Sequence, residues 1–391
     1  MKPSGPGAAG DGAGAGRGSD AEFAAGLDLE RVPSPALVLR ADRVAANLEC
    51  LIGLAGGDLT RLRPHLKTTK SPAIWRLLLE RGLTHFKCAT AREARVLLEL
   101  AAELDVPLDL LVAYPHVGPN LAAIAALARE HRGCAVSVLV EDPEAARDLP
   151  ESLTAFVDLN SGMNRTGADL GDWRWFAAAE TLGAAFRGLH FYEGHHTQPG
   201  ADRRAACREG YEFVLDAVAL LRDGGLGNFE LITSGTPGFL HALEFFGERE
   251  VPGLHHRVSP GTVLLHDLQS EQANPGAGFA PAAAVLARVV SRPQARRVTC
   301  DAGTKSIAAE AGDPCAVALG RPGLTAMRPS EEHLPFEVET GPLPARGEVL
   351  WLWPRHVCPT VNLAEQAWWI DPPHAPRLIE VRARAHDAAM F

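Results

Sequence analysis

Apolar residues along this chain fall into two alternating kinds of run. Short runs at 36–39, 85–88, 108–113, 135–140, 155–159, 188–192, 230–233 and 262–265 have the length and composition of strands. Between most of them the apolar positions recur at helical spacing, over 41–54, 73–81, 91–104, 121–132 and 203–222. Residues 62–67 form a further candidate strand. Repeated strand–helix units predict parallel strands joined by right-handed crossovers. Close to eight strands over about 240 residues match the size of a (β/α)8 barrel, with a doubly wound open sheet as the alternative. No Gly-x-Gly-x-x-Gly follows the first strand, which argues against a dinucleotide-binding unit.

Past residue 275 the pattern changes. Strand-like stretches at 282–290, 297–300, 316–318, 335–338, 348–353 and 367–370 are punctuated by Gly and Pro, without long helical periodicity. A separate β domain, sandwich- or barrel-like, is therefore expected over 275–391. The barrel is assigned 21–274, its first residues free to pack on the β domain. Residues 1–20 are Gly, Ala, Ser and Pro with few large apolar groups, and read as a disordered tail.

Composition narrows the class. With 46% hydrophobic residues, 391 residues can bury a sizeable core. The net charge of −10 comes without a basic run, which argues against a nucleic-acid partner. Seven cysteines, scattered and odd in number, fit a reducing compartment better than a disulfide framework. No secretory signal or membrane-length apolar run is visible, so a cytoplasmic protein without membrane partners is expected.

The candidate chemistry lies at the strand ends. There are five lysines, Lys2, Lys67, Lys70, Lys87 and Lys305, against a large excess of arginine. Lys67 stands in Arg63-Pro64-His65-Leu66-Lys67-Thr68-Thr69-Lys70. An amine can form a Schiff base where a guanidinium cannot. Lys67 is thus read as a possible link to pyridoxal 5'-phosphate (PLP), with His65 tuning it; a surface lysine and a core histidine are the plainer readings. Ser234-Gly235-Thr236 and Gly261-Thr262 combine hydroxyls with glycines, as a phosphate cradle needs, though ordinary turns look the same. Arg165 in a Gly-flanked turn could anchor a cofactor, and Tyr192 could pack on its ring. His356 and Cys358, at i and i+2, would face one way on a strand and could share a divalent metal, with Zn2+ the best match to imidazole and thiolate.

Together these motifs are more specific than any alone. Arg-Pro-His-x-Lys-Thr-x-Lys at 63–70, Gly-Met-Asn-Arg-Thr-Gly at 162–167, Tyr-x-Gly-His at 192–195, Ser-Gly-Thr-Pro at 234–237, Pro-Gly-Thr at 260–262, Asp-Ala-Gly-x-Lys at 301–305, Ser-Glu-Glu-His at 330–333 and His-x-Cys-Pro-Thr-Val-Asn at 356–362 occur in this order. The chain resembles the D-threonine aldolase / D-serine dehydratase family of fold-type III PLP enzymes, relatives of alanine racemase. The resemblance runs from about Pro35 to the chain end. It implies a PLP barrel, a C-terminal β domain and a homodimer. It makes Lys67 the PLP lysine, sets Arg165 and Tyr192 around the ring, and gives the phosphate to Ser234, Gly235, Thr236, Gly261 and Thr262. It assigns the metal to His356 and Cys358.

Three positions depart from the family: Thr69 where histidine is usual, Ser259 where many members have arginine, and Val263 in place of a frequent tyrosine. These bear on substrate positioning more than on PLP binding. The His-x-Cys pair is similar to that of zinc-dependent D-serine dehydratases, whereas aldolases of the family carry His-x-Asp. The Gly-Met-Asn-Arg-Thr-Gly stretch is nearer the aldolase branch. The expectation is a metal-assisted lyase acting on small D-3-hydroxy-amino acids, with D-serine dehydration slightly ahead of D-threonine cleavage. His195 is the expected base for the hydroxyl in cleavage, and Lys67 removes the α-proton in dehydration. An amino-acid racemase stands further back, since it needs a second acid/base and gives no reason for the His-x-Cys pair, as does a non-catalytic PLP carrier, which is usually a single barrel without the extra β domain.

Overall fold

The computed structural model describes residues 20–198 and 200–388. Positions 1–19 of the expected tail lie outside the described residues; Asp20 begins a short helix, Asp20–Ala24.

The strands are β1 (Ala36–Arg40), β2 (His85–Cys88), β3 (Asp109–Pro115), β4 (Ala135–Val140), β5 (Thr154–Leu159), β6 (Phe186–Phe191), β7 (Phe229–Thr233), β8 (Leu254–Val258), β9 (Ala283–Gln294), β10 (Arg297–Cys300), β11 (Ala316–Ala318), β12 (Leu324–Ala326), β13 (Leu334–Val338), β14 (Val349–Pro354), β15 (Gln366–Ile370) and β16 (Arg377–Glu380). β2 to β8 form one parallel sheet in sequence order. Residues 62–66 close it. Leu62 bridges β8 at Val258 and His65 bridges β2 at Lys87, both in parallel. Arg63 N–H donates to Val258 O (2.9 Å) and Leu66 N–H to Lys87 O (2.7 Å). Pro64 lacks an N–H, so this eighth member is a broken ladder rather than a continuous strand.

Two strand expectations change. Residues 36–39 do not join the barrel: β1 pairs antiparallel with β9 and parallel with β15 in the second sheet. Residues 262–265 are not a strand either, since Thr262–Leu264 is a 3-10 turn. β8 takes that place. Its sequence, Leu-His-His-Arg-Val, is too polar to read as a buried strand. The barrel helices include Ala41–Leu54, Pro72–Glu80, Ala91–Leu104, Gly118–Glu130 and Gly200–Asp223.

The second sheet has nine strands. Its main path runs β12-β13-β10-β9-β1-β15-β16, and β14 joins β9 to β11. The long β9 bridges its two parts. No helix among the described residues is long and apolar enough to cross a membrane.

Strand periodicity sorts the barrel residues by face. Leu62 and Leu66, Phe86 and Cys88, Val157 and Leu159, and Leu189 and Phe191 pack outward under the helices. Their alternates point inward. Leu111, Leu139, Phe156 and Ile232 form a small apolar plug inside. Below it Arg63 is fully buried and bonds both Glu230 carboxylate oxygens (2.7 and 2.9 Å) and Asp109 Oδ1 (2.9 Å). Above it the inward positions are polar, and the site begins there.

Candidate active site

The C-terminal strand ends open into a cavity of about 520 Å³, whose wall includes His65, Lys67, Lys87, Tyr192, Thr236, Ser259, Gly261, Thr262, His356 and Cys358. The segments 63–70, 192–195, 234–237, 260–262 and 356–362 thus converge at one end of the barrel, where such folds place their chemistry, whereas 162–167, 301–305 and 330–333 contribute no wall residue.

Positions 63, 65 and 67 share the inner face of the closing segment. Arg63 reaches the floor, His65 the middle and Lys67 the rim. His65 Nδ1 accepts from Lys67 N–H (3.3 Å). Burial, then the charges of Lys67 and Lys87, hold the His65 imidazole well below its usual range, so it stays neutral. Two other lysines are committed elsewhere. Lys70 is ion-paired with the fully buried Glu93, and Lys305 meets Glu331 and Glu332 at the surface.

The hydroxyl cradle divides. Thr236 Oγ1 and Ser259 Oγ are buried without a hydrogen-bond partner on the cavity wall. Such oxygens cost free energy unless a ligand or water meets them. Gly261 lies so close to the closing segment that a Cβ there would sit 2.2 Å from His65 O. At Gly235 a Cβ would approach Tyr192 Cε2 to 2.9 Å. Ser234 faces away: its hydroxyl contacts Glu193 and lies 2.8 Å from Tyr211 Oη, and its N–H donates to Glu193 Oε2 (3.2 Å). Ser234 therefore shapes the loop from behind instead of lining the cavity.

Tyr192 is a wall residue, with the Arg165 guanidinium carbon 5.1 Å from its ring centroid. His195 is not among the residues that line the cavity. Its ring packs at a 41° tilt against that of His196 (centroids 4.0 Å apart), and it is His196 that lines the cavity. Burial, then the charge of His195, lowers the pKa of His196.

The His356–Cys358 pair does not lie on a strand. β14 ends at Pro354, His356 is the extended N-cap of the helix Val357–Leu363, and Cys358 is in its first turn. The two side chains nevertheless meet. Burial opposes the imidazolium, but bonding to Cys358 and Glu310 outweighs it and raises His356 to about 9. Burial also opposes the thiolate, yet His356 brings the Cys358 pKa below its usual value. Glu310 engages Nδ1 of His356, leaving Nε2 for another ligand. Thr68 Oγ1 is 3.0 Å from Cys358 Sγ. Asp267 Oδ2 accepts from Val357 N–H (2.9 Å), tying the helix to the barrel rim. Among the described residues no three of His, Cys, Asp and Glu gather into a ready-made cage.

Lys87, His190 and Asp158 form a site feature that no motif of the sequence marks. Lys87 Nζ lies 2.8 Å from His190 Nε2, and His190 Nδ1 lies 2.6 Å from Asp158 Oδ1, all three buried. Burial, then the charge of Lys67, pulls Lys87 down to about 7. The signal was present: lysine is scarce, and outward Phe86 and Cys88 force 87 inward.

Residues 39–266 match the model of the alanine racemase N-terminal domain family, and residues 282–370 that of a putative serine dehydratase domain. The chain is 31% identical over 354 residues to the D-threonine aldolase of Arthrobacter sp, covering 86% of this chain and 89% of that one. It is 26% identical over 276 residues to the D-threo-3-hydroxyaspartate dehydratase of Delftia sp. (strain HT23), covering 67% and 69%. Its fold is similar to the crystal structure of D-threonine aldolase from Filomicrobium marinum, with a TM-score of 0.78 at 28% identity over 90% of this chain and 95% of that one.

Proposed function

Because this chain belongs to the D-threonine aldolase / D-serine dehydratase family of PLP-dependent lyases, we propose that it cleaves D-3-hydroxy-amino acids, with D-threonine to glycine and acetaldehyde ahead of D-serine dehydration. This reverses the order expected from the His-x-Cys pair. The aldolase relative is similar over most of both chains, while the dehydratase relative matches about two thirds at lower identity. The observation that carries the PLP reading is one cavity holding Lys67, the unpartnered Thr236 and Ser259 hydroxyls, and the His356–Cys358 pair.

The residues present fit both groups. Lys67 would link PLP. Thr236, Ser259 and the backbone at Gly235, Gly261 and Thr262 would hold its phosphate, and Tyr192 and Arg165 would flank its ring. The imidazole and thiolate would bind one divalent metal, zinc by donor chemistry, with Glu310 orienting His356. Bound PLP supplies an electron sink for the bond broken at the α-carbon.

The chain's own groups do the rest. Lys67 Nζ holds and returns a proton at the α-carbon. His196, kept neutral, accepts the hydroxyl proton in place of His195. His356 and Cys358 hold the hydroxyl oxygen's side of the cavity, and the tight Gly235 and Gly261 contacts leave no slack around the phosphate loop.

Product identity tests the reaction. Incubation with D-threonine is expected to give acetaldehyde and glycine. Pyruvate from D-serine or 2-oxobutyrate from D-threonine, with ammonia and no acetaldehyde, would return the reading to dehydration. Racemised substrate alone would refute the lyase reading. For the metal, Cys358→Ala is expected to lose most bound zinc by elemental analysis. Equal zinc in parent and variant would leave Cys358 a buried thiol.

A further inference from the structure

One amine in the cavity has no part in the proposed chemistry. Lys87 stands on β2 beside the closing segment: its N–H donates to Pro64 O (3.0 Å), and its C=O accepts from Leu66 N–H (2.7 Å). Its side chain reaches His190 Nε2, and His190 in turn reaches Asp158. Lys87 Nζ has N–H donors, so His190 Nε2 accepts from it and Nδ1 donates to Asp158 Oδ1. This chain fixes the direction of Lys87 Nζ and leaves it further N–H donors. Nζ lies 5.5 Å from the Tyr192 ring centroid, on the cavity wall.

The surrounding charges leave this corner positive. Lys67 and Arg165 are the neighbouring cations, and Asp158 and Glu193 the neighbouring anions. Asp158 is engaged by His190, and Glu193 by Ser234 and Tyr211. His65 is held neutral, and Lys70 is paired with Glu93. An anionic ligand atom here would answer the imbalance.

Order around the barrel rim says which atom. The loop after β7 carries Thr236, the loop after β8 carries Ser259 and Gly261, the closing segment carries Lys67, and β2 carries Lys87. On the PLP ring the aldehyde carbon lies between the phosphate arm and the phenolic oxygen. With the phosphate on the β7–β8 side of Lys67, the phenolic oxygen falls on the Lys87 side. We propose that Lys87 is a cofactor-binding residue, oriented by His190 and Asp158, that donates a hydrogen bond to the phenolic oxygen of PLP. The inference rests on the PLP reading above.

The test titrates the absorbance band of the lysine-linked cofactor against pH and measures PLP affinity, in the parent holoenzyme, Lys87→Met and His190→Gln. A charge-assisted hydrogen bond removed predicts roughly tenfold weaker PLP binding in Lys87→Met. A lost positive neighbour raises the pH midpoint of the linkage by about one unit. His190→Gln keeps the amine but loosens it, so both readouts should move the same way by less. That variant decides the matter if Lys87→Met does not fold. Parent-like affinity and midpoint in a folded Lys87→Met, or in His190→Gln where it alone folds, would overturn the proposal. A parent that takes up no PLP at Lys67 would instead bring down the functional reading and this inference together.

Discussion

Lys67→Ala is expected to lose the covalent link to PLP and to lower lyase turnover roughly 10³-fold or more, the combined effect of removing a nucleophile and an acid–base group. The basis is position. The rim of the closing segment puts Lys67 on the wall that also carries Thr236, Ser259, His356 and Cys358. Borohydride reduction followed by peptide mapping checks it in the parent, with the phosphopyridoxyl group expected on Lys67 alone. Lys70 and Lys305 are held by carboxylates and should stay unlabelled. A label on either of them, or on Lys87, would overturn the assignment, as would parent-like turnover of Lys67→Ala.

Arg63→Met is expected to destabilise the fold by about 3–5 kcal/mol, the cost of breaking a buried ion pair by removing one partner; Glu230 would keep only Arg257 (3.0 Å) and Asp109 only Arg187. Arg63 has no exposed surface, and its guanidinium joins Glu230 on β7 to Asp109 on β3 across the barrel floor. Burial works against the charge on both carboxylates, yet Arg63, with Arg187 at Asp109 and Arg257 at Glu230, outweighs it: Asp109 is held at about 2 and Glu230 below its usual range. The sign follows from these depressed values. The folded state binds protons less readily than the unfolded one, so this stability is fully present above about pH 5 and is lost as pH falls toward 2. Denaturant melts at pH 7 and pH 3.5 check both statements. The variant should start lower at pH 7 and lose less than the parent on acidification. A change within about 1 kcal/mol at pH 7 would mean that the floor relaxes without Arg63.

Arg63 also shows where motif reading and structure part. Arg63, His65 and Lys67 form one run in the sequence, but they occupy three depths of one barrel wall. The first holds the fold, the second is a neutral imidazole that accepts from the Lys67 N–H, and the third stands at the cavity rim.

What the sequence by itself determined is whatever depends on local order. Alternating apolar runs gave the parallel barrel and the change to a β domain, because strand and helix periods are properties of neighbouring residues. The ordered motifs at 63–70, 234–237, 260–262 and 356–362 marked the segments that meet at the cavity.

What only the tertiary structure decided depends on distance across the barrel. Pro64 interrupts the closing ladder, so the eighth strand is visible only through its bonds to β2 and β8. Polar β8 forms because its neighbours β7 and the closing segment pair with it, not because its own residues demand burial. Residues 36–40 join the far sheet because β9 and β15 offer both of its edges. His196 rather than His195 meets the cavity, since adjacent residues in a loop have no fixed period. His356 and Cys358 meet across a helix N-terminus, a geometry that i, i+2 spacing does not specify. Lys87, His190 and Asp158 lie 103 and 32 residues apart in sequence; only closing the barrel brings them into one hydrogen-bonded line.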